Sequence, residues 1–401
     1  MLSSLGLYLH LPFCESKCHY CSFASGVYPQ DLVAPYLKAL SREIASLREI
    51  SSQAGISFEQ IASSEIDTIY FGGGTPSFIP GEDMLALMTQ VRQTFRVAPC
   101  AEVTIEVNPG SADRRKIDCY VQAGVNRVSI GMQTFQKDLL KRIGRSHEVE
   151  DALSTFDLFR GVGFRNISVD VIAGLPGQTM EDWQENLRTV RFLSPEHVSM
   201  YLLEIHENTQ FGKIYSRPPS GIGHPKEDPS DPGLPPEELV EQFYLESLGF
   251  FSRHGYRQYE ISNFAKPDHE SRHNSKYWTG LPYLGLGCSA HSYFGGKRWS
   301  NERNVGGYIR LIERQSHAVD VRSSLTAQQR QEEAIFLGLR LTKGLDLAQF
   351  KEDFGFSFPE RYHKQIDYLQ EGDLIEVSAD RLWLTPKGYL LSNEVFAELL
   401  R

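Results

Sequence analysis

Over its first two thirds the chain repeats one unit, a short β-branched strand that ends in Gly, Pro or a polar residue and is followed by a helical stretch. Six such strands can be picked out: LGLYLHL from Leu5, IDTIYFGGG from Ile66, AEVTIEVNPG from Ala101, VNRVSIGMQ from Val125, NISVDVIAGLPG from Asn166 and HVSMYLLEI from His197. In the first crossover Val33, Leu37, Leu40, Ile44 and Leu47 recur at steps of four, three, four and three, which lays an apolar face along a helix. Repetition this regular predicts an α/β fold, a full or partial (β/α) barrel in preference to an open sheet, with ligand-facing residues at the strand ends.

The pattern breaks at 217–236, where RPPSGIGHPKEDPSDPGLPP carries seven prolines and predicts an exposed, non-helical loop. A helical stretch from Glu237 leads into YRQYEISNFA, a further strand. After about Val321 the sequence becomes helix-rich and ends in LIEVSADRLWLTPKG, two apolar runs about Ala379 and Asp380 that predict a β-hairpin. The expected division is a barrel over 1–310 and a small C-terminal winged-helix-like domain over 321–401. Winged helices often bind DNA, but this segment has 10 Lys and Arg against 13 Asp and Glu, and the whole chain has a net charge of −10, so no nucleic-acid partner is expected. Packing against the barrel is the expected role. No apolar run approaches the roughly 18 residues of a membrane span. MLSSLGLYLHLPFC has no basic leader and is interrupted by His10 and Pro12, so a cytoplasmic location is expected.

Three of the six cysteines fall within CESKCHYC, as Cys14, Cys18 and Cys21. In a reducing compartment such a cluster reads first as a metal site. Structural zinc takes four ligands, and no fourth Cys or His stands at matching distance; His19, inside the loop, is expected to point away. Three thiolates suit an iron–sulfur cube that leaves one iron for an exogenous ligand, with a zinc knuckle or a chance cluster as the alternative.

The C-x3-C-x2-C spacing, with Tyr20 before the third cysteine, resembles the radical S-adenosylmethionine (radical SAM) enzymes. That resemblance implies a partial barrel of radical SAM type and a 4Fe–4S cluster whose free iron chelates SAM, which an electron cleaves to a 5′-deoxyadenosyl radical. GGGTP, Gly72 to Pro76, is on its own a tight strand-to-helix turn, but in this family the glycine-rich strand end lets backbone approach the SAM amino group. Glu106, Gln133 and Asp170 stand at further strand ends, where a barrel exposes ligand-facing side chains. An isolated acidic residue there is more often a cap or an ion-pair partner.

YLHLPFCESKCHYCSF, FGGGTP, IEVNP, VNRVSIGMQTF, IGRSHEVED and DVIAGLPGQT together resemble the oxygen-independent coproporphyrinogen III oxidase-like family, which includes the HemW heme chaperones. By that resemblance Tyr8, Gly73 and Glu106 contact the cluster-bound SAM, while Gly74, Thr75, Gln133, Arg145 and Asp170 match a second SAM site of the oxidase. Two departures separate this chain from the oxidase: Phe23 stands where the oxidase has a further cysteine, and only 13 residues precede Cys14. RHNSKYW resembles the heme-binding signature of the chaperones, which implies heme binding by His273, Asn274, Tyr277 and Trp278, with His273 as axial ligand. The plain alternative is a loop held by His273 and Asn274 with Tyr277 and Trp278 in the core. Cys100, Cys119 and Cys288 are expected to be packing residues, Cys288 in a Gly-rich rim loop with His291. The reading is a heme chaperone with apo-hemoproteins as partners. The oxidase, a radical SAM heme-modifying enzyme and a winged-helix regulator are the alternatives, and peripheral membrane contact stays open.

Overall fold

The computed structural model describes residues 4–216 and 232–400. The six expected strands are present as β1 (Ser4–Leu11), β2 (Glu65–Gly73), β3 (Arg96–Val107), β4 (Arg127–Gln133), β5 (Ile167–Ala173) and β6 (His197–Leu202). They pair in sequence order and all parallel, the arrangement that right-handed helical crossovers produce. β4 is buried at every position, as a strand covered on both faces must be.

The sheet continues at both edges. β7 (Arg257–Glu260) and β8 (Asn263–Ala265) form an antiparallel pair beside β6, where one further strand was expected. On the other side β9 (Tyr283–Leu286) runs parallel to β1, then β10 (His291–Phe294), β11 (Lys297–Asn301) and β12 (Val319–Ser324) follow antiparallel. The resulting sheet has twelve strands in the order β12-β11-β10-β9-β1-β2-β3-β4-β5-β6-β8-β7, an open, partial (β/α) barrel. The expected rim loop around Cys288 is thus a turn between two strands, with Cys288 buried in it. β12 carries this sheet to Ser324, past the expected start of the C-terminal segment at Val321. Of the expected Pro-rich loop, residues 217–231 lie outside the described residues. Cys119 is buried as expected, but Cys100 is exposed, because β3 begins at Arg96 and turns that position outward.

The C-terminal segment holds helices Ala327–Arg340, Leu347–Phe354 and His363–Glu371 and a three-stranded sheet, in which β13 (Leu345–Asp346) and β14 (Ile375–Val377) flank β15 (Arg381–Leu384). The β14–β15 pair is the expected hairpin. The segment docks on the barrel at the end of its first helix, through an ion pair between Arg340 and the fully buried Glu260, 2.8 Å, and through backbone bonds of Ile261 to Arg340 and of Thr342 to Tyr259.

The first crossover helix, Val33–Ala45, buries Val33, Leu37, Leu40 and Ile44 as the spacing predicts. Its same face carries two polar groups that secure the rim of the site. The Tyr36 hydroxyl donates to the carbonyl of His10 in β1, and accepts from the Cys288 amide. Buried Glu43 accepts from the Gly287 amide, Asn301 Nδ2 and the Tyr308 hydroxyl, each at 2.7 Å. Replacing Glu43 with Ala leaves three buried donors without this acceptor, so stability should fall by about 3 kcal/mol or more, read as a lower urea midpoint. An unchanged midpoint would contradict this role.

Candidate functional site

The cysteine loop leaves the C-terminal end of β1 and is closed at its base by two backbone bonds, Cys14 N–H to Gly26 and Gly26 N–H to Pro12, both 2.9 Å. Phe13, buried between these, meets the rings of Tyr28 and Tyr36 edge-on. His10 Nε2 lies 2.8 Å from the Ala24 carbonyl. Burial holds that imidazole down at a pKa of about 4, so it fastens the loop in its neutral form.

The glycine triplet ends β2 directly beside this base. Gly74 N–H donates to Leu11 and Thr75 N–H to Phe13, both 2.8 Å, which zips the two strand ends together. A Cβ on Gly74 would stand 2.7 Å from the Phe13 carbonyl and 2.9 Å from Cys14 Sγ, so only glycine allows the approach. Gly73 has φ +120°, and a Cβ there would strike the His10 ring.

Each thiol of the loop has its own donor. Thr75 Oγ1 is 3.7 Å from Cys14 Sγ, Arg145 Nη1 is 3.5 Å from Cys18 Sγ, and Lys17 Nζ is 3.5 Å from Cys21 Sγ. Asn108 joins two of them: its Nδ2 donates to Thr75 Oγ1 at 3.0 Å while its Oδ1 accepts from Arg145 Nη2 at 3.2 Å. Arg145 also donates to the Gly131 carbonyl. His19 points away, its Nδ1 on the Arg142 carbonyl at 2.9 Å. Tyr20 packs against the small apolar cluster of Leu139, Ile143, Ile172, Leu175 and Phe211.

Three half-buried thiols with separate donors fit an iron–sulfur cube, which takes one thiolate on each of three irons. Among the described residues no three His, Cys, Asp or Glu side chains converge on a single ion.

Below the glycines, side chains from the strands face one another across the barrel. Glu106 accepts from the Tyr70 hydroxyl at 2.9 Å and from the Gly73 amide at 3.2 Å. Burial, reinforced by Asp170, pushes its carboxyl up to about 7 against those two hydrogen bonds and Arg127. Asp170 accepts from Ser129 at 3.0 Å and is also raised by burial. Gln133 sits at a left-handed φ of 67° where the β4–β5 register shifts, a strained backbone of the kind that clusters at functional sites. Tyr8 stacks on Tyr70, and its hydroxyl lies 3.1 Å from His10 Nδ1.

The RHNSKYW segment is the helix Arg272–Trp278, held under this space towards the strand starts. Glu102 accepts the amides of Arg272 and His273, and Lys276 pairs with Asp67 at 2.8 Å. His273 is 1% exposed and lies beneath Tyr70, ring centroids 5.2 Å apart. Its Nδ1 is 2.9 Å from Thr68 Oγ1 and its Nε2 is 2.9 Å from the Tyr277 hydroxyl. Asn274 and Tyr277 are half-buried, and Trp278 lies under the Arg340 guanidinium at 4.2 Å. The helix thus sits at the end of the barrel opposite the cysteines.

A model of the radical SAM superfamily matches residues 8–190, and one of the HemN C-terminal domain matches 325–391. The heme chaperone HemW of Bacillus subtilis is 36% identical over 98% of this chain and 98% of its own. The chain belongs to the HemW family. HemW of Lactococcus lactis is 32% identical over 98% of this chain and 96% of its own. The solved radical SAM coproporphyrinogen III oxidase (HemN) of Escherichia coli superposes with a TM-score of 0.81 at 24% identity, covering 99% of this chain and 90% of that one, a likeness of fold. Radical SAM membership implies a 4Fe–4S cluster and SAM for this HemW-family chain.

Residues that the sequence reading missed are Asn108, which bridges Thr75 and Arg145, Tyr70, which links Glu106 to His273, and Arg127. Arg127 is 1% exposed at the start of β4, with Nε and Nη1 unpaired. Asn108 stood within the quoted IEVNP and Arg127 within VNRVSIGMQ; a polar residue inside a strand motif was the available signal.

Two outcomes follow. Gly74→Ala should lower the iron and sulfide bound after reconstitution while leaving far-UV circular dichroism intact; full loading would show that the close approach is dispensable. If ionised Glu106 holds cationic SAM, affinity should rise about tenfold between pH 6 and pH 8, as the ionised fraction climbs from about a tenth to about nine-tenths around a pKa of about 7. Glu106→Gln should bind more weakly and lose that dependence in calorimetry; a variant that keeps it places the titration elsewhere.

Proposed function

We propose that this protein is a heme chaperone that binds heme and passes it to apo-hemoproteins, with the cysteine loop holding a 4Fe–4S cluster and the strand ends holding SAM. The observation that carries this reading is the likeness to HemW chaperones over 98% of the chain. When bound, cluster and SAM supply one-electron reductive cleavage of a sulfonium bond; the protein positions them and excludes water. Cys14, Cys18 and Cys21 are the cluster ligands. Tyr8, Gly73 and Glu106 are placed against SAM, with Gly74, Thr75, Gln133 and Asp170 around them. Arg145, whose guanidinium is engaged by Cys18, Asn108 and Gly131, belongs to the cluster's edge in this arrangement.

Heme is assigned to the Arg272–Trp278 helix, with His273 as iron ligand and Asn274, Tyr277 and Trp278 beside it. Burial lowers the pKa of His273 to about 3, which keeps the imidazole in the neutral form that metals take. Thr68 on Nδ1 resembles the second partner that orients a ligating histidine, leaving Nε2 for iron once Tyr277 withdraws. Among the described residues no helix is long and apolar enough to cross a membrane.

Heme titration of three proteins tests this assignment. His273→Ala should bind about tenfold or more weakly with the cluster intact, whereas Tyr277→Phe, which frees Nε2, should bind at least as tightly as the parent. Equal affinity in His273→Ala would leave His273 as the anchor of its helix, and a loss in Tyr277→Phe alone would move the ligand to the phenol.

A further inference from the structure

The donors around the three thiols are unequal. Thr75 offers Cys14 a neutral hydroxyl, whereas Cys18 and Cys21 each face a cation. Arg145 reaches Cys18 from another part of the chain. Lys17 comes from the loop itself, and although it directly precedes Cys18 its side chain turns towards Cys21. The ammonium lies 3.5 Å from Cys21 Sγ and donates to the carbonyls of Phe23 and Ser25, both 2.9 Å, and to the Ser25 hydroxyl at 2.8 Å. Ser25 Oγ itself lies 3.9 Å from Cys21 Sγ.

An exposed lysine normally keeps its three protons in water. Here four acceptors from 21–25 surround them, so the end of the loop is folded about one positive charge. The neighbouring backbone contributes to the fixing: Gly26 is tied to Pro12 and Cys14, and Ala24 to His10. The charge therefore has a fixed position relative to Cys21.

A cluster gains one negative charge on reduction, and hydrogen bonds and net charge at its sulfurs set its potential. A cation held near a ligating sulfur stabilises the reduced form more than the oxidised one. We propose that Lys17 sets the electron affinity of the cluster by fixing a positive charge at Cys21, and that the same contacts lock residues 22–25 beside it. One electron enters from an external donor, no bond forms or breaks at Lys17, and its proton stays in place. The inference rests on Cys14, Cys18 and Cys21 holding a cluster.

The test is a redox titration of the reconstituted full chain without SAM, followed by electron paramagnetic resonance, with iron and sulfide measured on each sample. Lys17→Met and Lys17→Gln should keep the iron content and shift the midpoint to more negative potential, while Lys17→Arg should stay near the parent. The glutamine variant keeps a donor without the charge, so a parental midpoint with a full cluster in that variant overturns the proposal. Loss of the cluster from both uncharged variants, with retention in Lys17→Arg, also overturns it and makes Lys17 a structural lysine. A parent protein that takes up no cluster refutes the ligand assignment instead, which separates that failure from this one.

Discussion

Everything at the cysteine end depends on the backbone junction between the ends of β1 and β2. The amides of Gly74 and Thr75 donate to Leu11 and Phe13, so the glycine turn and the first cysteine share one rigid base. Absence of a Cβ at Gly74 is what lets the backbone lie against Cys14. The Val33–Ala45 helix supports the junction through Tyr36 on the His10 carbonyl, and through Glu43 on the β9–β10 turn. A site built on paired strand ends is held more tightly than one on a free loop, and the thirteen-residue excursion from Cys14 to Gly26 gains that rigidity at both ends.

From this base a polar column runs down the barrel. Gly73 and Tyr70 hold Glu106, Tyr70 lies over His273, and His273 rests on Thr68. Its acidic members are pushed towards neutrality by burial while its histidines stay uncharged, and Arg127 supplies a buried positive charge nearby. The column places the region assigned to SAM and the helix assigned to heme at two ends of one connected network.

The features visible in the sequence were those that local chemistry encodes. Short β-branched strands alternating with helical stretches, and the apolar face from Val33 to Ile44, gave the parallel core, and the cysteine spacing with the glycine triplet marked the strand ends that meet in the structure. The hairpin about Ala379 and Asp380 was legible for the same reason. Contacts between distant segments were not: Arg145 meets Cys18 across 127 residues, and Asn108 bridges Thr75 and Arg145. Nothing in RHNSKYW says that its histidine lies beneath Tyr70 with Nδ1 on Thr68 and its backbone amide on Glu102, because Tyr70 and Thr68 come from β2 and Glu102 from β3. β10 was missed because it is only four residues long and follows a Gly-rich turn, and the continuation of the sheet into β12 because that edge strand is exposed beyond Val319 and lacks alternation.

The most direct measurement of the central claim is anaerobic transfer of heme from the loaded full chain to an apo-hemoprotein acceptor, followed by the absorbance of both proteins, with SAM and reductant present. The account predicts that heme leaves this protein unmodified and appears in the acceptor. Heme retained by this chain while the acceptor takes up free heme, or recovered in chemically altered form, would contradict a chaperone and point to an enzyme acting on the porphyrin.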